Sequence, residues 1–189
     1  EYGDPSVLRL GEAPDPPMPR DGEVRIAVRA AGVNVWDVKV RSGSMAAFAR
    51  SRFPVVPGQE AAGVVDAVGA GVTGVSVGDE VLGLGRSTTA EYALLRDVAI
   101  KPPSLGWEYA AAIPTAAETA ARGLATLGVG AGQTLVVTGA SGAVGSFAVQ
   151  LAVARGARVI GAASPGQQAF VASLGASPVA HGDGLADRV

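Results

Sequence analysis

A glycine-rich turn is the part of this sequence best suited to chemistry. It runs from Gly139 to Gly145, between the apolar β-branched run 134–138 and a segment with apolar residues at helical spacing. A strand, a glycine turn and a helix in this order bring free N–H groups and the positive end of a helix dipole to one point, where a pyrophosphate binds. Gly142 lets the backbone approach the phosphates, and Gly145 lets the helix pack closely on the strand.

The turn therefore predicts a dinucleotide site. The residues expected to contact the cofactor are Ser141, Gly142, Ala143, Val144 and Gly145. An ordinary tight turn of an α/β protein is the alternative interpretation.

The residue that ends the next predicted strand bears on the choice of cofactor. An acidic residue at this point binds the ribose hydroxyls of NAD. Here the strand ends at Ala163-Ser164, and the next carboxylate is Asp183. Serine does not repel a 2′-phosphate and can donate a hydrogen bond to it, so Ser164 predicts NADPH in preference to NADH. In the alternative interpretation, Ser164 only caps the following helix.

Metal ligands are scarce. The sequence has no cysteine and one histidine, His181. A structural zinc site uses about four Cys or His ligands and a catalytic one about three. We therefore predict no metal site and no disulfide. His181 is interpreted as a surface residue, because it lies in a loop of small and polar residues.

Composition limits the class of partner. The 189 residues are 48% hydrophobic and 17% charged, with a net charge of -2, which is typical of a globular chain. Without a basic excess, neither nucleic acid nor an anionic membrane is expected as a partner. No apolar run approaches the roughly 18–20 residues that span a bilayer, and no signal peptide is visible. We expect a small-molecule substrate and a cytoplasmic location.

The first hundred residues have strand character. The stretch 23–30 alternates polar and apolar side chains, and 63–69 and 81–84 are short apolar runs between glycine turns. The stretch 90–95 is interpreted as a strand or a short helix. Several short strands at this spacing predict a small barrel or sandwich.

The pattern changes after Pro102-Pro103, so we place a domain border between residues 104 and 105. An Ala-rich helical stretch over 107–127 is interrupted by Pro114, which is expected to start its longer part. Further elements are predicted over 134–138 (strand), 144–155 (helix), 158–163 (strand) and 167–174 (helix). This succession is one mononucleotide-binding unit of a Rossmann fold, which needs two, so we interpret the chain as part of a longer protein.

Three segments carry a family resemblance. The run 58–69, continued by Gly78-Asp79-Glu80-Val81, resembles the signature of the medium-chain dehydrogenase/reductase family. The segment 31–43 is similar to the one that lines the nicotinamide site of the quinone oxidoreductase (ζ-crystallin-like) branch. The segment 114–120 is similar to the family's interdomain helix. Zinc-dependent members carry His at the position of Gln59, so Gln59 points to the zinc-independent branch.

The resemblance implies a fold and an activity. It implies an α/β protein with a GroES-like, β-rich catalytic domain over 1–104 and a partial Rossmann domain over 105–189. The implied reaction is hydride transfer from NADPH to a quinone or a conjugated enone. Family members are commonly homodimers through the nucleotide domain. The preference for Arg over Lys indicates a bacterial source.

The resemblance also implies roles for individual residues. Thr119 would contact the cofactor, Asn34 would be a polar contact near the nicotinamide and substrate, and Trp36 would line the substrate pocket or the core. Lys39 would be a proton source if burial destabilised its charged form. A solvated Lys39 paired with Asp37 or Glu60 is the alternative.

Some positions depart from the family pattern. Some quinone reductases have tyrosine at the positions of Lys39 and Met45, and Gln167 or Gln168 replaces a basic residue that binds the 2′-phosphate. Glu60 is interpreted as structural and paired with Arg41.

Two other functions stay open. One is an enoyl reductase module of a polyketide or fatty-acid synthase. The other is a protein that binds NADPH without catalysis.

Overall fold

The computed structural model describes residues 1–48 and 50–189. It divides into two compact units, Glu1–Thr115 and Ala116–Val189. The strands are β1 (Val24–Ala31), β2 (Glu60–Val68), β3 (Glu80–Arg86), β4 (Tyr92–Ile100), β5 (Thr134–Thr138), β6 (Arg158–Ala163) and β7 (Ser177–Ala180). The helices are α1 (Val35–Ser42), α2 (Trp107–Ala111), α3 (Pro114–Thr126), α4 (Ala143–Ala154) and α5 (Gln168–Ser173).

Strands β1 to β4 form a closed antiparallel barrel in the first unit. Strand β1 pairs with both β2 and β4, and β3 pairs with the same two strands, so the sheet has no free edge. The alternating apolar residues turn inward, and the barrel core contains Val24, Ile26, Val65, Val81 and Leu95. The sequence allowed either a strand or a short helix over 90–95. The structure has a strand there, since Tyr92–Leu95 of β4 pairs with β1.

Helix α1 was not predicted. It begins after Asn34, whose backbone N–H donates to the Asp37 carboxylate at 2.8 Å, and it ends at Gly43, which has a left-handed φ of 83°. Its valines have modest helix propensity, so the local pattern hides it. The two ends carry the usual start and stop signals of a helix.

Helix α2 belongs to the barrel unit. Its Ala110 and Ala111 are buried in a cluster with Ala62 and Leu82 of the barrel strands. The compact unit therefore extends to Thr115, whereas the predicted border lies at 104/105, before α2. The predicted start of the longer helix at Pro114 agrees with the observed start of α3.

A buried lysine ties α2 and its preceding loop to the barrel. Lys101 is 5% exposed, and its Nζ lies 2.9 Å from Glu80 Oε2. The same Nζ donates to the Leu105 carbonyl at 2.8 Å and lies 4.8 Å from the centre of the Trp107 ring. The ammonium is thus shared between a carboxylate, the Pro102 and Leu105 carbonyls and an aromatic face.

The second unit is built on a parallel sheet in the order β5-β6-β7. Its core includes Val149 of α4, Val159 of β6 and Val171 of α5. Strand β7 was missed by the sequence analysis, because four residues containing Pro178 give no strand signal. Proline is tolerated there because β7 pairs on one side only in the described sheet.

We predict that Lys101→Met lowers the free energy of unfolding of the barrel unit by about 2 kcal/mol, since the Leu105 carbonyl loses a charged donor. Glu80→Gln is the matched control. The introduced amide oxygen can still accept from the Lys101 ammonium, which also keeps its carbonyl acceptors, so the loss stays under about 1 kcal/mol. Urea unfolding followed by Trp fluorescence measures both, and equal losses would contradict this account of Lys101.

Candidate active site

The glycine turn leaves helix N–H groups free. After β5, Gly139 adopts a left-handed φ of 65°, and the Ala140 N–H donates to the Ala162 carbonyl at 3.1 Å. Gly142 is the N-cap of α4, and the Ser146 N–H is the first to bond within the helix, to the Gly142 carbonyl at 2.8 Å. The N–H groups of the residues between them, Ala143, Val144 and Gly145, have no intrahelical acceptor. The structure thus gathers the predicted phosphate-binding residues at one helix start.

Gly142 and Gly145 are needed for different reasons. A Cβ on Gly145 would overlap the Gly139 carbonyl oxygen and lie 2.9 Å from the Ala140 Cα, so only glycine allows this helix–turn contact. A Cβ on Gly142 would meet only the Gly139 carbonyl oxygen, at 3.3 Å, and would otherwise stand in open space. The fold itself therefore does not require glycine at position 142, and the missing side chain leaves space that a ligand can occupy. This open cradle fits a pyrophosphate.

Ser164 lies at the carboxyl end of β6, at the same sheet edge as the glycine turn. It is the N-cap of a short 3-10 turn, but its side chain makes no capping hydrogen bond. The alternative interpretation, in which it only caps the next helix, does not hold here. His181 follows β7 and is exposed as expected, and its backbone N–H donates to the Ala163 carbonyl at 3.2 Å.

A buried carboxylate organises a second cluster, in the barrel unit. Glu60, the first residue of β2, is 2% exposed. Its Oε1 accepts from Asn34 Nδ2 at 2.6 Å, and its Oε2 accepts from the Thr115 backbone N–H at 2.7 Å. Asn34 Nδ2 also donates to Thr115 Oγ1 at 3.5 Å. Glu60 therefore joins the start of α1 to the first turn of α3.

The predicted pairing of Glu60 with Arg41 is wrong. Among the described ion pairs none involves Glu60, and both of its oxygens are occupied by neutral N–H donors. Arg41 Nη1 is buried without a hydrogen-bond partner in the described part of the chain. Partial positive charge at the N-terminus of α3 offsets the carboxylate instead.

The other barrel-unit candidates lie on α1. Trp36 is 37% exposed, beside the exposed side chains of Val33, Val35 and Val38. This exposure is compatible with a pocket wall, and the role of Trp36 stays a prediction. Lys39 is exposed, and none of the described ion pairs includes it. The structure does not bury Lys39 as a proton source would require, nor does it pair Lys39 with Asp37 or Glu60.

Thr119 lies on α3 in the second unit and is half-buried. Its role toward a cofactor stays a prediction. Within residues 1–48 and 50–189, no three His, Cys, Asp or Glu side chains are grouped as metal ligands would be. Over the same residues, no helix is both long and apolar enough to cross a membrane.

Comparison with known proteins defines the class. Residues 20–155 match the alcohol dehydrogenase GroES-like domain. The chain is 37% identical over 190 residues to the 2-methylene-furan-3-one reductase of Solanum lycopersicum (93% of this chain, 49% of the relative). It is 38% identical over 171 residues to human quinone oxidoreductase (86% and 50%). It is also 42% identical over 172 residues to the polyketide synthase system protein NorB of Streptomyces orinoci (89% and 8%).

Solved structures of similar proteins have the same fold as this chain. The quinone oxidoreductase of Coxiella burnetii superposes with a TM-score of 0.84 at 32% identity, covering 99% of this chain and 62% of that one. A mycobacterial protein complexed with NADPH superposes with a TM-score of 0.81 at 31% identity, covering 99% and 58%. The chain spans about half the length of the reductase and quinone oxidoreductase sequences it matches.

The fold and the comparisons together place the chain among proteins with an alcohol dehydrogenase-type GroES-like domain. Within that class it belongs to the medium-chain dehydrogenase/reductase family, and the matched relatives include quinone oxidoreductases and a furanone reductase. The predicted fold class, a GroES-like β-rich domain followed by a Rossmann-type sheet, is confirmed.

The two glycines give a paired prediction. Gly142→Ala should leave the fold intact and raise the Kd for NADPH roughly tenfold, since its methyl group fills the space that a phosphate needs. Gly145→Ala should instead destabilise the second unit by about 2 kcal/mol, because the methyl group has no room. Fluorescence titration with NADPH and urea unfolding separate the two effects. Normal NADPH affinity in the Gly142 variant would argue against a phosphate site here.

Proposed function

We propose that this chain is the cofactor-binding part of an NADPH-dependent, zinc-independent oxidoreductase that reduces a quinone or a conjugated enone. The observation that carries the proposal is the open glycine cradle at the start of α4, where three N–H groups have no acceptor within the helix. The relatives named quinone oxidoreductase and furanone reductase support the reaction type.

The second unit would hold the cofactor. The free N–H groups of Ala143, Val144 and Gly145 would bind the pyrophosphate, with the helix dipole adding to the attraction. Ser164 Oγ, which caps nothing, is available to donate to the 2′-phosphate. Thr119 is proposed as a further contact. When bound, NADPH supplies the hydride, and the protein supplies position and polarity.

The barrel unit would supply the polar surroundings of the acceptor substrate. No metal is needed in this proposal, so charge that develops on the substrate oxygen must be met by hydrogen-bond donors or water. The Glu60–Asn34–Thr115 cluster is the polar group that this unit offers, and Trp36 is proposed to line the apolar side of the substrate pocket. We also propose that the full-length protein is a homodimer and that it is a bacterial, cytoplasmic enzyme.

The proposed activity is tested by titrating full-length protein with NADPH and NADH, then following NADPH oxidation with a panel of quinones and enones. We expect NADPH to bind and at least one acceptor to be reduced without added metal. Stoichiometric zinc in the purified protein would contradict the zinc-independent assignment. Tight NADPH binding without turnover of any acceptor would instead favour the non-catalytic alternative.

The similarity to NorB favours a second candidate, an enoyl reductase module acting on tethered thioester enones. It is distinguished by the acceptor. Reduction of an enoyl thioester much faster than of the matching simple enone would support it, and the reverse order would support the free-substrate enzyme.

Ser164 gives a prediction on cofactor choice. Ser164→Asp should raise the Kd for NADPH at least about tenfold, because the carboxylate repels the 2′-phosphate, while the Kd for NADH stays similar or falls. Ser164→Ala is the matched control and should weaken NADPH binding less, since it removes a hydrogen bond without adding charge. Equal effects of the Asp variant on both cofactors would exclude Ser164 from the 2′-phosphate site.

A further inference from the structure

The sequence pointed to Asn34 as the polar contact for the substrate, but the structure commits its donors elsewhere. Ionised Glu60 only accepts hydrogen bonds, so it fixes the amide of Asn34 with Nδ2 turned toward the carboxylate. The Nδ2 group carries two protons, one directed to Glu60 Oε1 at 2.6 Å and the other to Thr115 Oγ1 at 3.5 Å. Asn34 therefore has no side-chain N–H left for the oxygen of a substrate.

The Thr115 hydroxyl is the unused hydrogen-bond donor of this cluster among the described residues. Its backbone N–H is bound to Glu60, and its hydroxyl oxygen accepts from Asn34. A hydroxyl has one proton to donate, and the Thr115 proton has no acceptor among the described residues. Thr126, on the same helix, does use its proton, donating to the Arg122 carbonyl at 2.9 Å. Thr115 lies in the first turn of α3, where such back-bonding within the helix has no partner.

The order of bonds also strengthens this donor. Each hydrogen bond in a chain polarises the next, so an oxygen that accepts from Asn34 makes its own O–H a better donor. Asn34 donates to both Glu60 and Thr115, so Glu60 does not polarise Thr115 and only fixes the orientation of the Asn34 amide. The Thr115 proton stays free.

We propose that the Thr115 hydroxyl is the catalytic hydrogen-bond donor to the carbonyl oxygen of the acceptor substrate, with Glu60 and Asn34 as its positioning residues. This inference rests on the proposed function. In that reaction NADPH would supply a hydride by breaking its C4–H bond and becoming NADP⁺. The hydride forms a C–H bond at the β-carbon of an enone, the C=C pair shifts to the bond between the α-carbon and the carbonyl carbon, and the C=O pair moves to the oxygen to give an enolate. Thr115 donates a hydrogen bond to that oxygen without losing its proton, and water protonates the α-carbon.

The first experiment compares Thr115→Val, which keeps the shape but removes the hydroxyl, with Thr115→Ser, which keeps the hydroxyl. Full-length Thr115→Val should lose about a hundredfold in kcat on a conjugated enone with little change in KM for NADPH, as expected when a donor acts mainly in the transition state. Thr115→Ser should retain most of the activity. Thr126→Val is the matched control on the same helix and should behave as wild type.

The second experiment does not depend on turnover. p-Nitrophenolate carries a delocalised negative oxygen like that of an enolate, and its absorption reports binding to the protein saturated with NADP⁺. Wild type and Thr115→Ser should bind it, and Thr115→Val should bind it about tenfold more weakly. Equal affinity of wild type and Thr115→Val would overturn the proposal, whatever the folding stability of the variant.

Glu60→Gln tests the positioning residues. The fixed Thr115 N–H needs an acceptor, so the introduced amide must turn its oxygen there and its nitrogen toward Asn34. The side-chain amide of Asn34 then turns over to point its oxygen at the introduced nitrogen, and it stops donating to Thr115 Oγ1. We expect p-nitrophenolate affinity between those of wild type and Thr115→Val, and wild-type affinity would remove Glu60 and Asn34 from the account. Failure of the wild type to bind either NADPH or NADH would instead refute the proposed function.

Discussion

The barrel unit depends on how one buried charge is satisfied. The Glu60 carboxylate is removed from water without a cationic side chain beside it in the described ion pairs, and burying a charge is costly unless donors replace the lost water. The donors come from two distant parts of the chain, the loop before α1 and the first turn of α3. One carboxylate therefore fixes both segments and decides which polar groups remain available to a ligand.

The second unit depends on a steric constraint, the absence of a side chain at Gly145. The turn after β5 can approach α4 only because Gly145 has no side chain, and that approach leaves the first N–H groups of the helix free beside the open face of Gly142. Parallel pairing of β5, β6 and β7 then brings Ser164 to the same sheet edge. Backbone geometry thus supplies the free N–H groups of the proposed phosphate site before any side chain contributes.

Local patterns in the sequence predicted much of this. Strands β5 and β6 were placed at their observed bounds, since both are short apolar runs between turn signals. The glycine turn at the start of α4 was also placed correctly, because all its residues are consecutive, and its role toward a phosphate stays a prediction. Helix α1 and strand β7 were missed, because both are short and their residues favour them weakly. The partners of Glu60 lie 26 and 55 positions away, and no local pattern reports a contact that the closed barrel creates.

The proposed reaction is reduction of a conjugated acceptor by hydride transfer from a reduced nicotinamide. The most direct measurement uses NADPH deuterated at the transferred position of C4 with a simple conjugated enone, followed by mass spectrometry and NMR of the product. We expect one deuterium at the β-carbon and a solvent proton at the α-carbon, without added metal. Binding of NADPH with no deuterium in the product would contradict it.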